Sequence, residues 1–496
     1  MYFIKGPNGE DVIPVKIGGE CEPIDTSKLI EVVSAAQEKV VHYAQSATSA
    51  QASRAADAAY AAYLKWRNSK YTTRRDLLLR TADIIESRRA KFVETQTLET
   101  SCPESWAHFN VTLLANCLRE IGSNISYATT GDLPPVETDN AVGLVFREPV
   151  GPVLAISPWN ASMILSGRAL AGPIGAGCSV VLKASELSPL VHHYVVGAFE
   201  DAGMPKGLIS VLQAARQDSP LITETLIAHQ AIRKIEFTGS ANVGKIIGQL
   251  GSKYLKPVLM ELGGKAPAVV LPDANLKHAA ATIVDGAMMH HGQICMSTDR
   301  IIVLREVSDA LIEEIRAYIK ANYANGAGHS VTRTQAERAH TLLHNAQKAG
   351  AKFVIGDASL DETRSSLTPT IITNVDPSDA LFKEELFTAA SILITVDTED
   401  EAVRAANDTE YGLNAAVHSS SVFNGLRVAR QIEAGQVHIN TITEYDEATM
   451  PIGGTKGSGW GRNNGKYALR EFLVEKTITI HDPLGGAGGN AFGTKG

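Results

Sequence analysis

The chain has 496 residues, a formal net charge of −8, 44% hydrophobic residues and 20% charged residues. At roughly 150 residues per domain this length predicts about three structural units, long enough in total to bury a core without disulfides or structural metals. The balance is that of a globular protein, and no Lys/Arg run forms a nucleic-acid footprint: Arg74-Arg75 and Arg88-Arg89 read as solvated helix faces.

The N-terminus, Met1-Tyr2-Phe3-Ile4-Lys5-Gly6-Pro7, lacks a basic segment followed by an apolar one, so no secretory signal is expected. Residues 1–25 read as a small ribbon. Residues 25–104 read as helical, on Ala-rich segments and on the spacing of Trp66, Leu77, Leu78, Ile84 and Ile85. Asp132-Leu133-Pro134-Pro135 interrupts the helices, and 142–148 reads as a strand. Short apolar runs then alternate with helical stretches. Val153-Leu154-Ala155-Ile156, Ser179-Val180-Val181-Leu182-Lys183, Leu208-Ile209-Ser210-Val211-Leu212 and Lys234-Ile235-Glu236-Phe237-Thr238 are the first four. A second series runs through 268–271, 300–304, 391–396 and 436–440, with helices over 308–324 and 334–349. This rhythm predicts parallel sheets covered on both faces, an α/β fold. The tail after Asp482 is Gly-rich and reads as mobile. The apolar stretches stop at about a dozen residues, too short for a bilayer span, so neither a membrane nor a nucleic-acid partner is expected.

Five cysteines, Cys21, Cys102, Cys117, Cys178 and Cys295, are widely spaced without a C-x-x-C. That pattern predicts free thiols in a reducing compartment, the cytoplasm. No metal is expected: His192-His193 and His290-His291 are adjacent pairs that cannot both face one site from a helix, and no H-E-x-x-H occurs.

Several segments carry chemistry. Phe237-Thr238-Gly239-Ser240 leads from a strand into a helix that starts near Ala241 and contains Val243. Free N–H groups at such a start bind anions, although an ordinary β–α turn has the same pattern and no G-x-G-x-x-G is present. Lys183 and Glu186 follow a strand end, where they can hold the two hydroxyls of a ribose; alone they would read as an exposed ion pair. Ser157-Pro158-Trp159-Asn160 also follows a strand, and an Asn amide there can donate to an oxyanion or simply make a turn. Glu261 stands before Leu262-Gly263-Gly264, and Cys295 comes 34 residues later. A thiol is a strong nucleophile at neutral pH and a nearby acid can activate water. The other four cysteines read as inert core thiols.

With these segments in hand, the chain resembles the aldehyde dehydrogenase superfamily over nearly its whole length. Seven motifs occur in that family's order: Ser157-Pro158-Trp159-Asn160, Leu182-Lys183, Phe237-Thr238-Gly239-Ser240, Glu261-Leu262-Gly263-Gly264-Lys265, Gly292-Gln293-Ile294-Cys295, Glu384-Glu385-Leu386-Phe387 and Pro451-Ile452-Gly453-Gly454. The resemblance implies that Cys295 attacks the aldehyde, that Asn160 and the Cys295 N–H hold the oxyanion, and that Glu261 activates the water that releases the acid. It implies NAD as cofactor. Lys183 and Glu186 would hold the adenosine ribose, Ser240 the pyrophosphate, and Glu385 with Phe387 the nicotinamide side; Ser157, Pro158, Trp159, Gly239, Val243 and Leu262 would complete that site. Glu186 would repel a 2′-phosphate, favouring NAD over NADP.

The implied architecture is an NAD-binding domain (1–126 and 150–262), a catalytic domain (263–473), and an oligomerisation ribbon with tail (127–149 and 474–496). Strands 142–148 and 477–481 would pair across subunits of a homodimer or homotetramer. Two stretches, Asn160 to Ala169 and Tyr445-Asp446-Glu447-Ala448, resemble the branch acting on salicylaldehyde, vanillin and benzaldehyde. They place Arg168, Met289, Ile294, Met296 and Tyr445 in the substrate pocket, with Arg168 either steering a hydroxylated aromatic aldehyde or lying at a surface. Three departures from the family stand out: Thr388-Ala389 in place of Gly-Pro, Ala214-Ala215-Arg216 near the adenine site, and Asn463 where many members carry a glutamate thought to relay protons. Other readings are a dehydrogenase of aliphatic aldehydes or semialdehydes, a cysteine esterase, and a non-catalytic binding protein; the dinucleotide motifs weigh against the esterase, and the joint presence of Cys295, Glu261 and Asn160 against the last.

Overall fold

The computed structural model describes residues 2–6 and 9–482, so the Gly-rich tail lies outside the described residues. The first four apolar runs, fully buried along most of their length, form the centre of an eight-stranded sheet. Its parallel strands lie in the spatial order Val258–Glu261, Lys234–Thr238, Val153–Ile156, Val180–Lys183, Ile209–Leu212. The strand order therefore reverses between Val153–Ile156 and Lys234–Thr238. A crevice opens at such a switch point, beyond the carboxyl ends of the strands. Helices Tyr71–Ser87, Glu104–Ala128, Ser162–Ala176 and Pro189–Asp201 pack on one face. Ser49–Trp66, Ser219–Ala228 and Ala241–Lys253 pack on the other.

A second sheet has seven strands, in the order Lys352–Ile355, Thr370–Thr373, Ala390–Val396, Thr298–Leu304, Ala266–Val270, Asn414–His418, Gln436–Ile439. Only the first pair is antiparallel. Helices Leu276–Met288 and Arg305–Asn322 cover one face; Glu399–Asn407 and Val422–Ala429 cover the other. The α/β expectation is met. Among the described residues no helix is long and apolar enough to cross a membrane.

Two local expectations are corrected. Residues 25–104 are not helical throughout: Leu29–Ser34 and Lys39–Gln45 form an antiparallel hairpin, and the first long helix starts at Ser49. The hairpin strands are rich in β-branched residues with one face buried, Val32 and Ser34 against His42 and Ala44, which suits a sheet better than a helix. The helix begins where Thr48 and Gln51 complete a capping box. The two ribbon strands pair with each other within the chain: Ala141–Pro149 lies antiparallel to Leu473–His481 in one unbroken register.

Candidate active site

Glu261 is the last residue of its strand, and Leu262-Gly263-Gly264 carries the chain from the first sheet to the second. Both glycines sit where no side chain fits. A Cβ on Gly263 would lie 2.6 Å from the Glu385 carboxylate, and one on Gly264 would lie 2.3 Å from the Cys295 carbonyl oxygen. The crossing thus brings three segments together: Glu261, the Cys295 loop and the Glu385 loop. Gly264 donates its N–H to Glu385 Oε1 at 3.1 Å.

Cys295 follows helix Leu276–Met288 after a sharp bend. His290, His291 and Gly292 take φ values of 49°, 58° and 68°, a left-handed run that turns the chain back on itself. The two histidines are therefore not on a helix; both are buried, and burial pulls each imidazole down to about 3. Gln293 pins the loop: its amide donates to the carbonyls of His290 and His329 and accepts from the Val331 N–H. Asn160 donates one amide hydrogen to the Gln293 carbonyl at 3.1 Å, and its own carbonyl takes the Trp106 indole N–H at 3.0 Å. The Cys295 thiol points at Glu261 Oε1, 3.6 Å away. Burial, then the charges of Glu261 and Glu385, push that thiol well above its ordinary range. Burial also raises Glu261, against the pull of Arg168. The thiol and a Glu261 oxygen thus lie close enough for a proton to pass between them.

On one side of Cys295 lies a cleft of about 830 Å³, lined by Ser240, Ala241, Lys245, Arg338, Glu385 and Tyr411. A smaller cavity joining Gly264, Cys295, Glu385 and Phe387 continues it to the thiol. Ser240 lines this cleft and caps helix Ala241–Lys253, accepting from the Val243 N–H at 3.4 Å; both residues are exposed. Leu262 packs behind Gly244, where a Cβ would meet it at 2.5 Å. Trp159 meets Phe387 edge-on at 5.9 Å, so the Ser157-Pro158-Trp159 turn and the Glu385 loop face each other. Burial lifts the Glu385 carboxyl to about 8. Lys183 ends its strand and is buried, not an exposed partner of Glu186; burial lowers its ammonium, against the attraction of Glu186. A helix N-terminus, an ammonium with a carboxylate, and a carboxyl beside the thiol are a donor set that fits a dinucleotide.

On the other side is an apolar cavity. Trp106, Phe109 and Leu113 come from one face of helix Glu104–Ala128, Ile164 and Leu165 from helix Ser162–Ala176, and Ile294 and Met296 flank Cys295. Arg168 is part of this wall and only 2% exposed. Its guanidinium pairs with Asp446 at 2.5 Å, and Asp446 in turn accepts from Asn464 at 2.9 Å. Met289 packs on the adjoining apolar cluster. Tyr445 turns away from the cavity: its hydroxyl donates to Glu447 at 3.0 Å and its ring meets His438. Its neighbour Asp446 is the one that faces Arg168. Trp106, Phe109 and Asp446 escaped the sequence reading; the spacing of three and four along one helix was the available signal for the aromatic wall.

All five cysteines are free. Cys102, Cys117 and Cys178 are core thiols as expected, the last two pushed up to about 12 by burial. Cys21 is corrected: it is exposed, on the edge strand Glu20–Cys21.

A family model described as "Aldehyde dehydrogenase family" matches residues 23–478. The chain is 38% identical to a vanillin dehydrogenase of Pseudomonas fluorescens, over 95% of this chain and 98% of that protein. It is 38% identical to a salicylaldehyde dehydrogenase of Pseudomonas putida, over 84% and 87% respectively. Among solved structures, a salicylaldehyde dehydrogenase from Pseudomonas putida G7, complexed with salicylaldehyde, superposes with a TM-score of 0.91 at 35% identity, covering 95% of this chain and 98% of that one. A betaine aldehyde dehydrogenase from Staphylococcus aureus in complex with NAD+ gives 0.89 at 27% identity, covering 94% of each chain. Fold, motif order and sequence likeness agree, and the chain belongs to the aldehyde dehydrogenase family.

Proposed function

We propose that the protein oxidises an aromatic aldehyde to its carboxylic acid with NAD, through a thiohemiacetal and then a thioester on Cys295. One observation carries this reading. The Cys295 thiol faces Glu261 at 3.6 Å, at the point where an aromatic-walled cavity meets a cleft suited to a dinucleotide.

Glu261 takes the thiol proton as the sulfur attacks the aldehyde carbon. The second Asn160 amide hydrogen and the Cys295 N–H receive the oxyanion. NAD supplies the acceptor for the hydride. Glu261 then takes a proton from the water that cleaves the thioester. Lys183 and Glu186 hold the adenosine ribose, Ser240 the pyrophosphate, and Glu385 with Phe387 the nicotinamide side. Ser157, Pro158, Trp159, Gly239, Val243 and Leu262 shape that cleft. Glu186 disfavours a 2′-phosphate by charge, selecting NAD over NADP.

An aromatic substrate is supported by the flat apolar wall, where Trp106 and Phe109 stack at 5.5 Å, and by the vanillin and salicylaldehyde dehydrogenases among the relatives. Residues 1–126 with 150–262 would bind the cofactor, and 263–473 would supply the nucleophile. The ribbon of 127–149 and the chain end would join subunits of a homodimer or homotetramer. Five free thiols suit the cytoplasm.

The test is kcat/KM over a panel of aldehydes with NAD and with NADP. Benzaldehyde, salicylaldehyde or vanillin with NAD should exceed short aliphatic aldehydes by tenfold or more. Equal efficiency on aliphatic aldehydes removes the aromatic reading. Ester hydrolysis without any NAD-dependent absorbance change removes the dehydrogenase reading.

A further inference from the structure

Strand Lys234–Thr238 carries a carboxyl group that none of the chemistry above uses. Ile235 and Phe237 point into the apolar layer under helices Ser219–Ala228 and Ala241–Lys253. Glu236 therefore points to the opposite face, the one that also receives Leu259 and Glu261 from the neighbouring parallel strand. In register Glu236 stands opposite Leu259, which makes Glu236 and Glu261 diagonal neighbours on one face of the sheet. Diagonal sites lie roughly 7–8 Å apart, a gap that two glutamate side chains, or one water between them, can span.

Glu236 is 2% exposed, and burying an ionised carboxylate there is costly without full compensation. The groups whose charge or dipole acts on it are Lys234 from its own strand, Arg168 from helix Ser162–Ala176, Glu261 from the next strand, and the Asn463 amide. Its Oε2 has no hydrogen-bond partner, and neither has Glu261 Oε2. Beyond Glu236 the same face runs outward. Lys234 reaches the Glu471 carboxylate at 2.8 Å, and these two side chains are 10% and 25% exposed. Glu261, Glu236 and the Lys234–Glu471 pair thus form a line from the buried site to the edge of the molecule.

The proposed reaction needs such a line. Aldehyde, NAD+ and water give carboxylate, NADH and two protons. Glu261 takes one proton from the Cys295 thiol and one from the attacking water, while the water's other proton, left on the newly formed acid, returns to the departing Cys295 thiolate. With an acyl group in the aromatic-walled cavity and cofactor in the cleft, both openings to Cys295 are filled.

We propose that Glu236 is the proton acceptor behind Glu261, taking the protons that Glu261 collects and releasing them at the Lys234–Glu471 edge of the sheet. It touches neither substrate nor cofactor and acts through Glu261, so it is a positioning residue. Each transfer moves one proton from a Glu261 oxygen to a Glu236 oxygen and then to solvent, with no change of oxidation state. Burial lifts the Glu236 carboxyl to about 8, close enough to neutrality for it both to accept and to release a proton. The inference rests on the reading of Glu261 as the base for both steps.

Stopped-flow NADH formation with Glu236→Gln tests it. The first proton can rest on Glu261, so one NADH per active site should form at close to the wild-type rate. The second proton is then stranded, so steady-state kcat should fall tenfold or more with KM for the aldehyde within about twofold. The pH profile of kcat should lose its inflection near 8, and Glu236→Asp should restore part of kcat. Wild-type kcat and pH profile in Glu236→Gln overturn the relay. So does loss of the first NADH together with turnover and a lowered Tm, which marks a structural role. If Glu236→Gln does not fold, Glu236→Asp is read by the same split between first and later turnovers. Glu261→Gln serves as the control: if it turns over normally, the proposed function fails, whereas normal turnover by Glu236→Gln beside an inactive Glu261→Gln sinks the relay alone.

Discussion

The Cys295 thiol keeps its proton at rest, because burial and the carboxyl groups of Glu261 and Glu385 all oppose the thiolate. Only Arg168 pulls the other way, and its guanidinium is already committed to Asp446. Alkylation by iodoacetamide should therefore be slow at pH 7 and still be rising above pH 9, since only the thiolate reacts. Saturating NAD should move the rate profile to lower pH, as a cationic nicotinamide ring beside the sulfur favours the anion. A rate already at its plateau at pH 7 without cofactor would contradict this account. Cys295, Glu261 and Asn160 were legible in the sequence because their segments keep a fixed order and wording. Trp106 and Phe109 were not, since an aromatic wall on a long helix has the same pattern as any amphipathic face. Tyr445 and Asp446 show the limit of local reading: adjacent residues point to different sides, and only the fold decides which one meets Arg168.

Elements matter here chiefly where they stop. Strand Val258–Glu261 delivers Glu261, strand Val180–Lys183 delivers Lys183, and the turn after Val153–Ile156 delivers Asn160. The Gly263-Gly264 crossing then holds the second sheet's loops against them. A Cβ on Gly264 would meet backbone, the Cys295 carbonyl oxygen, which cannot swing aside as a side chain can. Gly264→Ala should cost about 1–3 kcal/mol of stability, and by displacing Cys295 it should lower kcat by about 100-fold or more. Thermal unfolding with steady-state kinetics checks both; wild-type kcat in that variant would show that the close approach is not needed. The alternation of buried strands and helices was readable because parallel strands covered on both faces are apolar throughout. The hairpin Leu29–Ser34 with Lys39–Gln45 was missed because the Ala-rich helix that follows dominates its neighbourhood. A closer weighting of Val32, Val33, Val40 and Val41 would have found it.

At the scale of the molecule, one surface lacks the cover its chemistry calls for. The ribbon of Ala141–Pro149 and Leu473–His481 alternates, and its register puts Val142, Leu144, Phe146, Val474, Ile478 and Ile480 on one face, together with the Lys476–Glu148 ion pair. Five of these six are at least 43% exposed. The opposite face is different: a Cβ on Gly143 there would lie 3.0 Å from Val136, while Asp132 bridges to the outer edge of the first strand at Val145. A two-stranded ribbon is marginal in water by itself, and an apolar face of this extent marks an interaction surface. The sequence showed that both strands alternate, but not that they pair with each other, because pairing partners more than 300 residues apart leave no local trace. Since the strands satisfy one another and Asp132 bridges to Val145, what remains for a second subunit is the apolar face and the outer edge of Leu473–His481. Phe146→Glu with Ile478→Glu places two charges on that face without touching the site around Cys295. Sedimentation should show a dimer or tetramer for the natural chain and a smaller species for this variant, with the far-UV spectrum kept. An unchanged assembly at micromolar concentration would move the interface elsewhere; a wild type that sediments as a monomer would leave the ribbon's apolar face without this role.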